Sequence, residues 1–189
     1  MKELLRKIYT YFLCKRYKIP YCDFKPGMGL TFINYRYGGV KIGHKTIIGQ
    51  RNILCSHTRH SVLDIGSKAL IGRDSTVSAI NSVIIEDEVL TGPHVFIADY
   101  NHEYENPHVP IMNQGNRARK GDCVLIEKGT WIGTNAVVVG NVHIGKNCVV
   151  GANSVVTKDV PDFSVVAGAP AKIIRRYDEI SKSWIRMKS

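Results

Sequence analysis

From Ile126 to Pro161 the chain is six hexapeptides in unbroken register: I-E-K-G-T-W, I-G-T-N-A-V, V-V-G-N-V-H, I-G-K-N-C-V, V-G-A-N-S-V and V-T-K-D-V-P. An aliphatic residue opens each one, at 126, 132, 138, 144, 150 and 156, and a small or β-branched residue stands four places later (Thr130, Ala136, Val142, Cys148, Ser154, Val160). No α-helix repeats every six residues. A fixed short period is the mark of a solenoid, in which each coil buries its apolar edge only by stacking on the next.

The same register continues upstream with interruptions. Ile42 and Ile48 open two hexads, Ile65, Ile71 and Val77 three more, and Ile85, Thr91 and Ile97 another three. Two extra residues between Val77 and Ile85 predict a small bulge near Asn81 and Ser82. The interval from Ile97 to Ile126 is 29 positions where one hexad takes six, so about 23 residues leave the coil and return to it. An excursion of that length in a compact repeat domain is usually functional. We place this inserted loop at about 99–125.

With 189 residues, 44% of them hydrophobic and 22% charged, the chain has the makings of one substantial core. Its five cysteines form no C-x-x-C pair, and Cys148 falls at an inward hexad position. With no signal-like or membrane-spanning segment, the expected compartment is the cytoplasm. The net charge of +10 is unevenly spread: residues 1–60 carry 12 Lys and Arg against Glu3 and Asp23, while the remainder holds 14 of each sign. The first 20 residues suit a helix with Leu4, Leu5, Ile8, Tyr9 and Phe12 on one face, Lys2, Arg6 and Lys7 off it, and Pro20 at its end. Such a helix can cap the open end of the solenoid, or rest as a basic amphipathic surface on anionic lipid. At the far end, Ile173, Tyr177, Ile180 and Trp184 recur at helical spacing and predict a C-terminal helix packed on the last coil. Three segments result: a basic amphipathic helix (1–20), a β-solenoid domain (21–171) and a C-terminal helix (172–189).

The hexads, the excursion carrying D-Y-N-H, T-W-I-G at 130–133, V-V-T-K-D-V-P at 155–161 and V-A-G-A-P-A-K-I-I-R at 166–175 together resemble the hexapeptide-repeat acyltransferases. The likeness is greatest to the maltose and galactoside O-acetyltransferases and to the sugar O-acetyltransferases of bacterial surface-polysaccharide clusters. The resemblance implies a left-handed parallel β-helix, a homotrimer with active sites between subunits, acetyl-CoA as donor and no metal. It also implies a sugar hydroxyl as acceptor, and the basic first segment would suit a lipid-linked one. The basic first segment adds an expected contact with the inner membrane face; nucleic acid is not an expected partner, because the charge is terminal and no aromatic-interleaved basic groove accompanies it.

Acyl transfer to a hydroxyl needs a base, a donor for the developing oxyanion and a groove for the thioester. Imidazole, titrating near neutrality, suits the first task. Of seven histidines, His44, His94 and His143 sit at outward hexad positions, His57 and His60 in a loop-like polar stretch, and His108 between two prolines. His102 begins the excursion, where the family places its catalytic histidine, with Asp99 and Asn101 beside it. By the same resemblance Trp131 lies at the acetyl and pantetheine end, the Thr134 amide faces the thioester oxygen, and Ala152 contacts the pantetheine arm. Thr157 and Lys158 fall at the nucleotide end, and Lys172 and Arg175 suit the 3′-phosphate. Asn81 and Asp99 are the candidates for acceptor contacts. Glu103 directly after the histidine, in a long acid-rich excursion, departs from the maltose and galactoside pattern. Alternatives are an antibiotic O-acetyltransferase of the streptogramin or chloramphenicol type, a zinc carbonic anhydrase on a similar coil, and a noncatalytic solenoid.

Overall fold

The protein is described here by a computed structural model covering residues 2–19, 23–33 and 39–187. After helix α1 (Lys2–Tyr17), strands β1 (Lys25–Pro26) and β2 (Thr31–Ile33) begin the solenoid. Successive coils follow as β3–β5 (Val40–Ile42, Ile47–Ile48, Ile53–Ser56), β6–β8 (Val62–Ile65, Leu70–Ile71, Thr76–Ala79) and β9–β11 (Ser82–Ile85, Leu90–Thr91, Phe96–Ala98). The excursion contributes a small hairpin, β12 (Asn101–His102) with β13 (Asn116–Arg117), and a 3₁₀ turn at Ile111–Asn113. The coil resumes as β14–β16 (Cys123–Ile126, Trp131–Ile132, Val137–Val139) and β17–β19 (Val142–Ile144, Val149–Val150, Val155–Val156), then β20 (Ser164–Ala167).

Every third strand of the coil pairs in parallel with its counterpart one coil away, which makes a three-faced prism of about six turns. The first face stacks β3, β6, β9, β14 and β17; the second runs from β1 through β4, β7, β10, β15 and β18 to β20; the third stacks β2, β5, β8, β11, β16 and β19. The hexad explains this register. Ile126, Ile132, Val138, Ile144, Val150 and Val156 are at most 1% exposed, and the positions four later, Thr130 to Val160, at most 5%. Two side chains per hexad thus point inward and fill the prism, and the others face out. Thr130 fits inside because its Oγ1 donates to Gly145 O (2.9 Å) and accepts from Cys148 N (3.0 Å), a fully paired buried hydroxyl.

The two extra residues near Asn81 form no ladder bulge. β8 and β9 lie on different faces, both keep continuous register with their neighbours, and the insertion lengthens the bend between them. The expected C-terminal helix is likewise absent. Residues 172–186 form β21 (Lys172–Asp178) and β22 (Ser183–Arg186), an antiparallel hairpin laid on β20. The last coil leaves a row of unpaired backbone groups, and a strand satisfies them where a helix would not. Tyr177 and Trp184 meet across the hairpin at 5.6 Å, and Ile180, in the turn, is 94% exposed.

At the other end α1 does cap the coil, but not with the face its sequence marks as apolar. Thr10, Leu13 and Cys14 are buried, Tyr17 packs on Phe32 (4.8 Å), and Arg6 ties the helix to Phe24 O (3.1 Å) and Asp23 (3.3 Å). Leu4, Leu5, Ile8, Tyr9 and Phe12 face outward. Pro20 and Cys22 lie outside the described residues.

Candidate active site

All the interruptions of the hexad fall on one edge of the prism, between the third face of one coil and the first face of the next. Leu54 to Ile65 spans eleven positions, Val77 to Ile85 eight and Ile97 to Ile126 twenty-nine, whereas Val138 to Ile144 spans the plain six. Insertions gathered on one edge of a solenoid build its binding surface. Phe32 to Ile42 spans ten positions on the same edge, and the Leu54 to Ile65 insertion carries His57 and His60.

Asp99, the first residue of the excursion, is fully buried. Its carboxylate accepts from the amides of Ile80 (2.8 Å), Asn81 (2.6 Å) and Ser82 (2.6 Å), so it clamps the neighbouring bend. A carboxylate holding three amides is oriented by the fold and is not free to reach an acceptor. Asn81 Nδ2 donates to Arg119 O (2.8 Å) and ties the returning arm of the excursion to the coil. Tyr100 comes next. Its hydroxyl lies 3.0 Å from both His57 Nε2 and Ser78 Oγ, which are themselves 2.9 Å apart, and Cys55 Sγ is 3.4 Å from the same nitrogen. Burial pushes the His57 imidazole below its ordinary range against the opposing pull of Asp99, and pushes the Cys55 thiol up.

With residues 99 and 100 held in this way, His102 is presented on β12 opposite Asn116. Its amide donates to Asn101 Oδ1 (2.8 Å), and its imidazole is exposed and makes no hydrogen bond among the described residues. Beside it a cleft of about 440 Å³ is lined by Glu103, Glu105, Asn116, Arg117, Ala118 and Arg119. Arg117 pairs with Glu105 (2.8 Å) and lies over the Tyr104 ring (5.8 Å). The cleft is polar and doubly signed, which suits a hydroxylated ligand.

The family-derived donor residues lie elsewhere. Thr134 and Ala152 occupy successive coils at the edge between the second and third faces. A Cβ on Gly92 would come within 2.7 Å of Thr134 N, and one on Gly133 within 2.6 Å of Ala152 N, so only glycine lets these coils close. In the turn at 133–136 the amides of Gly133, Asn135 and Ala136 donate to backbone carbonyls, and that of Thr134 has no such partner among the described residues. Trp131, 49% exposed on the second face, begins an outward row through Val149 and Val165 to Arg175 and then Arg186. At about 4.8 Å per strand the row places Arg175 roughly 14 Å and Arg186 roughly 19 Å from Trp131. Trp131 with Thr134 and Ala152 beside it at one end, and two guanidinium groups at the other, fit an extended pantetheine arm and its phosphates. Arg186 was missed in the sequence, because the expected helix would set it three turns, roughly 16 Å, from Arg175, whereas the hairpin pairs the two directly.

One chain therefore brings Trp131, Thr134 and Ala152 together, with Lys172 and Arg175 further along. Thr157 and Lys158 are exposed at the insertion edge, and His102 stands there too. A face is about five residues wide, roughly 15 Å, so a single chain does not bring His102 to the Thr134 edge. Among the described residues no three histidine, cysteine or acidic side chains converge as a metal site. Among the described residues no helix is long and apolar enough to cross a membrane.

The profile described as bacterial transferase hexapeptide (six repeats) matches residues 123–158. The candidate lipopolysaccharide-biosynthesis O-acetyltransferase WbbJ of Escherichia coli K12 is 38% identical over 57% of this chain and 57% of its own length. The galactoside O-acetyltransferase of the same organism is 33% identical over 63% of this chain and 59% of its own. Among solved structures, a variant of the N-acyltransferase AntD of Bacillus cereus, in complex with dTDP-4-amino-4,6-dideoxyglucose and coenzyme A, superposes with a TM-score of 0.69 at 19% identity, covering 92% of each chain. At that identity the likeness is one of fold. The chain spans about half the length of the curated relatives it matches. Residues 123–158 thus carry the repeat of the hexapeptide-repeat transferase family, and the coil that they form with the hexads upstream fits a left-handed β-helix.

Proposed function

We propose that the protein transfers an acetyl group from acetyl-CoA to a sugar hydroxyl in surface-polysaccharide biosynthesis, with His102 as general base. The carrying observation is the presentation of His102: an exposed imidazole beside a polar cleft, on a hairpin whose root is fixed by a fully buried carboxylate and the Tyr100 hydroxyl. In this reading the imidazole takes the proton as the acceptor oxygen attacks the thioester carbonyl. The developing oxyanion is met by the Thr134 amide, the carbon–sulfur bond breaks, and the protonated imidazole returns its proton to the departing thiolate.

The separation of His102 from Thr134 supports a homotrimer in which one chain's hairpin closes on its neighbour's groove. Ile47, Leu70, Leu90 and Trp131 on the second face, and Ile53 and Phe96 on the third, are each more than a third exposed and supply apolar surface for that contact. Trp131, Thr134 and Ala152 hold the acetyl and pantetheine end, while Lys172 and Arg175 take the nucleotide end; Thr157 and Lys158, exposed at the insertion edge, stand outside that row. Asn81 acts on the acceptor side through its hold on Arg119, and Asp99 by fixing the bend. Acetyl-CoA as donor places the reaction in the cytoplasm; a lipid-linked acceptor would bring it to the inner membrane face. The test is release of thiol from acetyl-CoA across a panel of sugar acceptors. His102→Ala is expected to lose about 10²- to 10⁴-fold in kcat with donor binding unchanged. A variant as fast as the parent on a good acceptor refutes the role.

A further inference from the structure

We infer that the outward face of α1 is a docking surface for an anionic lipid bilayer, a reading independent of the acyl-transfer chemistry. Helix α1 has two apolar faces and the coil uses one. Thr10, Leu13 and Cys14 close the end of the prism. Left outside are Leu4 (63% exposed), Leu5 (60%), Ile8 (43%), Tyr9 (44%), Tyr11 (52%) and Phe12 (61%). At 3.6 residues per turn these six occupy one continuous arc of roughly 160°. Isolated exposed apolar residues need no explanation, but a contiguous face of six large ones on a single helix does.

The charge around that face selects its occupant. Lys7, Lys15, Arg16 and Lys18 are all exposed on or beside it, and Glu3 is the helix's one acidic residue. Lys15 and Arg16 sit in the last turn, where their stems can lie along apolar surface while their heads reach phosphate. The excess continues through the first 60 residues, with 12 Lys and Arg against two acids. A second copy docking through this face would set like charges against each other; a bilayer with anionic headgroups meets both the apolar arc and its basic flank. Arg6 anchors the helix to the first coil at Phe24 and Asp23, and its apolar arc is exposed there.

The test is co-sedimentation of the full chain with vesicles of phosphatidylcholine alone and with about a third phosphatidylglycerol, at low and high salt. Binding is expected to the anionic vesicles and to weaken with salt. Ile8→Glu with Phe12→Glu should lower the partition coefficient at least tenfold for each apolar side chain removed, with melting temperature and solution mass unchanged. Lys15→Glu with Arg16→Glu should lower it and flatten its salt dependence. Failure of the parent to bind overturns the proposal, as does equal binding by the Ile8 and Phe12 variant. A change of solution mass in that variant also overturns it, by assigning the face to a second copy.

Discussion

Replacing Asp99 by alanine should loosen the whole excursion from its root. The buried carboxylate accepts three hydrogen bonds of 2.6–2.8 Å from the amides of Ile80, Asn81 and Ser82. A hydrogen bond to a charged group contributes about 1.5–3 kcal/mol, and an orphaned buried donor costs about 1–3 kcal/mol. Ile80, Asn81 and Ser82 are only half-buried, so water can recover part of the loss. The net cost is therefore about 3–5 kcal/mol, below the simple sum. For a chain of this length that lowers the melting temperature by about 6–20 °C. Asp99→Asn keeps one acceptor oxygen but turns an amino group toward the bend, and should cost about 1–3 kcal/mol. Both variants should also lose kcat, since His102 lies three residues beyond the clamp, while the KM for acetyl-CoA holds. The assay is thermal melting by circular dichroism beside thiol release. An alanine variant that melts within about 2 °C of the parent and retains its kcat would refute the clamp.

Further expectations concern charge. Arg186→Glu should raise the KM for acetyl-CoA about tenfold, as lost phosphate contacts do, and leave kcat alone; the difference should vanish with 3′-dephospho-CoA, and an unchanged KM would place the anionic end elsewhere. Arg51 holds the Asp74 carboxyl below the usual carboxylate range, first through its side-chain hydrogen bond (2.6 Å), with Arg73 and His94 adding to the effect. A depressed folded pKa gives stability that is present above the unfolded value, near about 4, and is lost as pH falls below it. Melting temperature should therefore drop on acidification from about pH 5 to 3, and less steeply in Arg51→Met. Parallel profiles in the two proteins would refute the link.

How far the sequence reached can be judged residue by residue. The period of six is a purely local pattern, and it predicted which side chains fill the prism: each hexad opener from Ile126 to Val156 is buried. The long interval before Ile126 likewise marked the excursion, because a break in a strict period needs no three-dimensional knowledge. The Leu54 to Ile65 interval was equally legible and would have drawn attention to His57. Other features depend on what lies across space. Ile173, Tyr177, Ile180 and Trp184 fit a helix in isolation, but the free edge of β20 recruited them as strands and a turn.

What the sequence by itself determined is the coil, its register, and the place where the chain leaves it, because apolar spacing along a stacked repeat leaves one arrangement that buries both inward positions. Only the tertiary structure decided where the leftover groups went. Asp99 looked like a ligand contact until three amides from the preceding coil closed on it. Helix α1 carries a strong apolar stripe and a weak one, and the weak one seals the coil, in the orientation in which Arg6 meets the Phe24 carbonyl and Asp23. The strong stripe faces outward as a result. In both cases the partners are distant in sequence, and a periodicity cannot encode them.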